Sequence, residues 1–370
     1  MEGSGRRGFS GRCALTLATL SIATMVSAQE PQYFDAPPEK PRLVFAWDAL
    51  LRYDNISHLR VRPDIERGRF EFRPELDLVF SDRLRIGVRA VGDYATDHNT
   101  ENVPNFDNYR SRGASIERYY LEAKPGQWTI QAGSFGIPLV ATEMLWDHDI
   151  QTLGVALAHE VRIGTSTFTL AAAGFYGPQR QRDHTRIGVG QVVWRKGDPD
   201  RFALEVAATY WHFDPDLNVG AFKRQNYVVA AGNTLEYLSR YRVGDVILRL
   251  RFPVAGLPVT VSLDGAHNFG VRSVAKGDAD AIEASVSVGR LSSPGDLRFF
   301  YTYQYVEQDA VLGAYNTDDW WFHSWYRGHR TGLAVTVLPR VFLQGSVTFQ
   351  GRLNLQHTLN RFCVDLIRMF

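Results

Sequence analysis

Charged side chains spaced two apart are the residues of this 370-residue chain with the clearest chemical potential. Arg69, Glu71, Arg73, Glu75 and Asp77 alternate with Phe70, Phe72, Pro74, Leu76 and Leu78, and Phe80 extends the apolar series. Arg85 and Arg89 alternate with Leu84, Ile86, Val88 and Ala90, and Arg249 and Arg251 with Val246, Leu248, Leu250 and Phe252. A spacing of two places like residues on one face of a strand. Such rows of charge pair across strands, keep a wall wet and filter ions by sign. Both signs occur here, so no strong preference for anions or cations follows.

Other candidate chemistry is sparse. The sequence has no G-x-S-x-G, no H-E-x-x-H and no phosphate-binding loop, so neither an enzyme nor a cofactor is expected. Asp147-His148-Asp149 has metal-ligand residue types, but neighbours on an extended chain point to opposite faces and do not converge. Trp320, Trp321, Phe322, Trp325 and Tyr326 form an aromatic cluster. It reads as a girdle where loop meets strand, as a stacking platform for sugars or aromatic solutes at a pore mouth, or as a subunit contact.

The elements that must position these residues are strands. Period-two alternation recurs along the whole chain, in about sixteen segments with 14 to 18 acceptable. They fall near 43–53, 67–81, 84–94, 115–124, 128–137, 151–161, 166–176, 185–195, 201–213, 237–252, 258–269, 280–290, 297–308, 328–338, 341–351 and 360–370. Segment 185–195 alternates poorly, and 226–236 reads as a further strand piece. The segments run about 11 residues, right for a tilted membrane strand. Aromatic residues gather near their ends at Tyr53, Trp194, Tyr210, Phe269 and Tyr305. Short turns such as Asp82-Arg83 and Pro339-Arg340 alternate with longer loops. The expected fold class is therefore all-β: a transmembrane, antiparallel, up-and-down β-barrel over 43–370. Hydrocarbon offers backbone groups no partners, so the sheet must close. About sixteen strands leave an aqueous lumen rather than a packed core.

Both ends of the chain agree with that expectation. Arg6, Arg7 and Arg12 precede an apolar stretch from Cys13 to Thr24, and Val26-Ser27-Ala28 offers a cleavage site. Residues 1–28 read as a signal peptide and 29–42 as a short periplasmic segment. Removing Glu2 and the three arginines takes 41 basic and 40 acidic residues to a net charge of about −1. Near-neutrality excludes nucleic acid as an expected partner. Cleavage leaves Cys363 alone, without a disulfide partner. At the other end, Phe362, Val364, Leu366 and Phe370 present one apolar face. That ending resembles the assembly signal of bacterial outer-membrane barrels, with Arg368 at a position usually apolar.

Several internal stretches resemble the bacterial putative porin family of outer-membrane channels. They are Ile116 to Pro125 followed by Trp128 to Pro138, Asn233-Thr234 with Tyr241-Arg242, and the closing Asp365-Leu366. Ser134 stands where an Arg is common in that family. The resemblance implies a passive channel for small hydrophilic solutes in a Gram-negative-type outer membrane. Its partners would be lipid and the barrel-assembly machinery, with homotrimers common at this size. By analogy with general porins, the loop from Pro138 to Ile150 would fold inward and present Glu143, Asp147 and Asp149 to solute. A solute-specific channel for a sugar, anion or aromatic solute is the alternative; an outer-membrane enzyme or a non-conducting adhesion barrel is less well supported.

Overall fold

The computed structural model describes residues 40–59, 64–96, 113–177, 184–198, 201–215, 226–232, 234–272 and 277–369. The expected signal peptide (1–28), residues 29–39 and Phe370 lie outside the described residues.

Alternation lets each strand face two solvents, and the strands form where it was read. They are β1 (Arg42–Ser57), β2 (Ile65–Ser81), β3 (Leu84–Ala95), β4 (Gly113–Ala123), β5 (Trp128–Phe135), β6 (Thr152–Ile163), β7 (Ser166–Tyr176), β8 (Arg186–Asp198) and β9 (Phe202–Asp214). After a short hairpin of β10 (Val228–Ala231) and β11 (Thr234–Tyr237) come β12 (Tyr241–Val254), β13 (Leu257–Asn268) and β14 (Asp280–Gly289). The chain ends with β15 (Leu297–Val306), β16 (Tyr326–Leu338), β17 (Val341–Arg352) and β18 (Thr358–Arg368). Sixteen of them form one closed antiparallel barrel, and β10 pairs only with β11. The strand piece read at 226–236 is thus a hairpin within a loop and not a wall strand.

Closure joins the last strand to the first, with Leu366 opposite Leu51 and Val364 opposite Tyr53. Phe362 and Leu366 are exposed on the outer face, while Cys363 and Asp365 between them are buried inside. Arg368 shares the outer face, where its guanidinium lies 3.3 Å from the Trp47 ring centroid and donates to the Trp47 carbonyl. That pairing gives the departing position an aromatic partner. The outer surface is apolar all round, with Phe45, Leu170, Val192, Leu263, Leu333 and Phe349 among the exposed side chains.

One glycine is required by the wall itself. Gly133 adopts φ +123, and a Cβ there would lie 2.2 Å from the Tyr119 carbonyl oxygen on the paired strand. Gly133→Ala is expected to lower stability by roughly 1–3 kcal/mol, the cost of a strained backbone residue plus a local break in pairing. A urea titration of the refolded barrel would check this; an unchanged midpoint would show that the strand edge simply shifts.

Candidate functional site

Two loops turn into the barrel and meet. The first, 136–151 between β5 and β6, touches walls on every side. Gln191 of β8 accepts from Val140 N and donates to Val140 O, at 3.0 and 2.7 Å. Thr142 donates to Asp264 of β13 at 2.5 Å, and Met144 N donates to Glu283 of β14 at 3.2 Å. Glu143 pairs with Arg330 of β16 at 2.9 Å, and Asp149 with Arg73 of β2 at 2.8 Å. A segment bonded to strands so far apart around the wall must cross the interior.

The second loop, 307–325 between β15 and β16, packs against the first. Asp147 N donates to Tyr315 O at 2.7 Å, and Thr317 N to Glu143 O at 3.2 Å. Asp309 anchors its start by accepting from Ser239, Tyr241 and Tyr227 N. Gln350 holds its end by accepting from Trp321 N and Phe322 N. Trp146 stacks between Trp211, 5.6 Å away at 13°, and Tyr315, 5.2 Å away at 25°. Together with Met144, Leu145, Val311 and Leu312, these rings form an apolar core inside the barrel. At this level the two loops fill much of the interior, as the expected inward turn of 138–150 requires.

The aromatic cluster belongs to this fill. Trp320, Phe322 and Tyr326 are 1 to 2% exposed and buried inside, not on the outer face, so the girdle reading is corrected for them. Their rings are also covered, which removes them as an open stacking platform. Trp320 donates to Glu143, Tyr326 donates to Gln304, and Arg352 lies over Phe322 at 3.9 Å. Trp321 and Trp325 are half-buried at the rim of the same loop.

The predicted wall charges all sit on the inward face, at two heights. Arg69, Glu71, Arg73, Glu75 and Arg89 lie near the loops; Asp77, Arg85, Arg249 and Arg251 lie toward the short turns. Most are paired: Arg73 with Asp48 at 2.5 Å, Arg89 with Glu117 at 2.8 Å, Arg85 with Glu122 at 3.1 Å and Arg249 with Glu205 at 2.6 Å. Glu75 is 3.5 Å from Arg118, and Arg251 is exposed. Arg69 is the exception among the buried arginines. It is 3% exposed and, among the described residues, meets only Asp318, at 3.5 Å, leaving Nε and Nη1 unpartnered.

The sequence reading missed half of this network. Asp319 pairs with Arg52 at 2.8 Å and with Arg330 at 2.7 Å, and Arg361 donates to the Asp318 carbonyl. On the opposite wall Asp245, Asp264 and Glu283 are buried, with Asp264 directly across from Glu283. The signal was present in β1, where Asp48, Arg52 and Asp54 recur at period two.

Glu143, Asp147, Asp149, Asp318 and Asp319 line one pocket of about 170 Å³ together with Arg52, Leu50, Trp146, His148 and Thr317. Burial alone would raise the Asp319 carboxyl, but Arg330, Arg52 and Arg361 hold it below the usual carboxylate range. Asp147 behaves oppositely. Burial first, then repulsion from Asp149, Asp318 and Asp319, pushes its carboxyl well above the ordinary range. Its folded-state pKa exceeds the unfolded one, so the folded protein holds a proton that the unfolded chain has lost. The associated stability is present on the acid side and is lost as pH rises through the raised value. Urea midpoints of the refolded barrel are expected to fall over that rise, as Asp147 gains charge. Asp147→Asn should flatten that profile.

No protein-family model matches the sequence, and no curated protein matches it significantly. Solved structures do match. The high-pH structure of Pseudomonas putida OprB superposes with a TM-score of 0.59 at 10% identity, over 89% of this chain and 94% of that one. OmpT lacking loop L8, an outer membrane protein of Vibrio cholerae, gives 0.51 at 10% identity, over 89% and 99%. Salmonella typhi OmpF in complex with daunomycin gives 0.50 at 9% identity, over 88% and 97%. At these identities the likeness is one of fold alone, a closed antiparallel β-barrel of sixteen strands.

Proposed function

We propose that this protein is an outer-membrane channel that passes small hydrophilic solutes or ions passively, with its selectivity set where the two inward loops meet the arginine-bearing wall. The carrying observation is the contrast between faces: a closed barrel that is apolar outside and lined inside by charged side chains. That arrangement suits hydrocarbon on one side and water on the other. Residues 1–28 would direct export, and Phe362, Val364 and Leu366 would serve the assembly machinery. Most of the predicted wall charges are held in ion pairs, which favours a filter over a catalyst.

A solute-specific channel is the second reading, favoured by the loop-filled interior. Single-channel recording in a planar bilayer tests both. Stable steps in KCl are expected. Their absence, from protein shown to be folded by heat-modifiable gel mobility, would leave an adhesion barrel or an enzyme. Saturable block by one solute class would select the specific channel over general diffusion.

A further inference from the structure

We infer that the outer face of the barrel carries, at its long-loop rim, a docking site for the phosphate of a lipid headgroup, built by Arg240, Arg242 and Arg272. The inference rests on the membrane placement proposed above and adds to it a lipid chemistry and a position. Alternation sets the orientation. Ser239, Tyr241 and Val243 are buried, and the exposed Arg240 and Arg242 between them face outward. Backbone bonds tie the end of β13 and the residues after it to this stretch: Phe269 N donates to Arg242 O at 2.9 Å, and Arg240 N to Gly270 O at 3.0 Å. Gly270 permits the approach, since a Cβ there would lie 2.2 Å from the Arg240 carbonyl oxygen. Arg272 is also exposed, and its N lies 3.5 Å from Ser239 Oγ. Three guanidinium groups therefore spring from neighbouring backbone at one rim.

Charge is the first argument. Among the described residues none of the three arginines has an ion pair. Acids on the flanking strands are engaged elsewhere: Asp280 meets His267 at 2.7 Å, and Asp214 stands opposite Arg186 in the strand register. Position is the second argument. The patch borders the apolar outer band, where Phe269 is 68% and Val246 55% exposed. The Phe269 ring covers Gly244, whose register partner is the exposed Tyr210. Cations at the edge of an apolar band lie where acyl chains give way to headgroups. A guanidinium fork matches phosphate oxygens two at a time. A free anion would use the charge and leave the apolar floor bare; a phosphate-bearing lipid uses both.

The test uses the full chain refolded in dodecylmaltoside and titrated calorimetrically with three probes. Dihexanoyl phosphatidic acid carries an anionic phosphate on acyl chains, dihexanoyl phosphatidylcholine the same chains without net charge, and inorganic phosphate the anion alone. Phosphatidic acid is expected to bind most tightly. Arg240→Gln, Arg242→Gln and Arg272→Gln together should weaken it by roughly a hundredfold, about fivefold for each arginine lost. Arg327→Gln is the control, because Arg327 is exposed on the outer face of β16, away from the patch, and also lacks an ion pair among the described residues; binding should not change. Equal affinity for inorganic phosphate would make this a free-anion site and overturn lipid docking. Wild-type binding by the triple variant, folded by gel mobility, or an equal loss in Arg327→Gln, would overturn it as well. Binding without current steps would keep the docking site and reject the channel; current steps without binding would do the reverse.

Discussion

Replacing Asp54 by Ala is expected to destabilise the barrel by about 3–5 kcal/mol, the usual cost of breaking a buried ion pair from one side. Asp54 is fully buried. It accepts from Arg361 Nε and Nη2 at 2.9 and 3.0 Å, and from Arg67 Nη2 and Nε at 2.8 and 3.1 Å. Cys363 Sγ, its register partner across the closing seam, lies 3.3 Å away. One carboxylate therefore ties β18, β1 and β2 together where the sheet closes. Its loss removes the carboxylate that two buried guanidinium groups share. The urea midpoint of the refolded barrel, followed by tryptophan fluorescence, reads the effect. The cost should fall when Arg67→Met and Arg361→Met accompany the change, because a removed pair is cheaper than a broken one. A wild-type midpoint for Asp54→Ala would show that the seam is held by backbone pairing alone.

What was legible in the sequence follows from which solvent each residue meets. An apolar outer face and a charged inner one impose a strict period of two, so the barrel strands fall within a few residues of their expected ends. The exception explains itself. Segment 185–195 alternates poorly because β8 points Ile187, Val189 and Val193 inward, where the first loop and its neighbours cover them, and Gly188 and Gly190 outward. Neither face has the composition its solvent would select. Loops carry no period, so the destination of Trp320 and Phe322 was invisible: an aromatic residue suits a lipid boundary or an interior equally. The wall pairings were also beyond reach. Arg361 meets Asp54 across 307 residues of sequence, and Thr142 meets Asp264 across 122. Inward charge could be read from spacing, but the partner of each charge depends on shear and closure. The inward turn of 138–150, expected by analogy, rests in the structure on its bonds to Gln191, Asp264, Glu283, Arg330 and Arg73.

The second large effect is on the current expected of the proposed channel. Replacing residues 308–324 with a short Gly-Ser turn should leave the wall intact, because Val306 and Tyr326 are already register partners. The interior would lose Val311, Leu312, Tyr315, Trp320 and Phe322, all buried within the lumen. Conductance follows open cross-section, so single-channel current in KCl should rise roughly two-fold or more. Selectivity should move as well. Asp318 and Asp319 leave with the loop, while Arg69 then has no counter-ion and Arg330 keeps only Glu143. Reversal potential in a KCl gradient should shift toward anions. Asp318→Asn with Asp319→Asn in the full-length loop separates the two effects, since it removes the charge and keeps the volume. That variant should reproduce the shift in selectivity with little change in current. Unchanged conductance in a deletion variant that is folded by gel mobility would mean that ions do not pass beside this loop. The narrow region would then have to be sought between the first loop and the acidic wall at Asp245, Asp264 and Glu283.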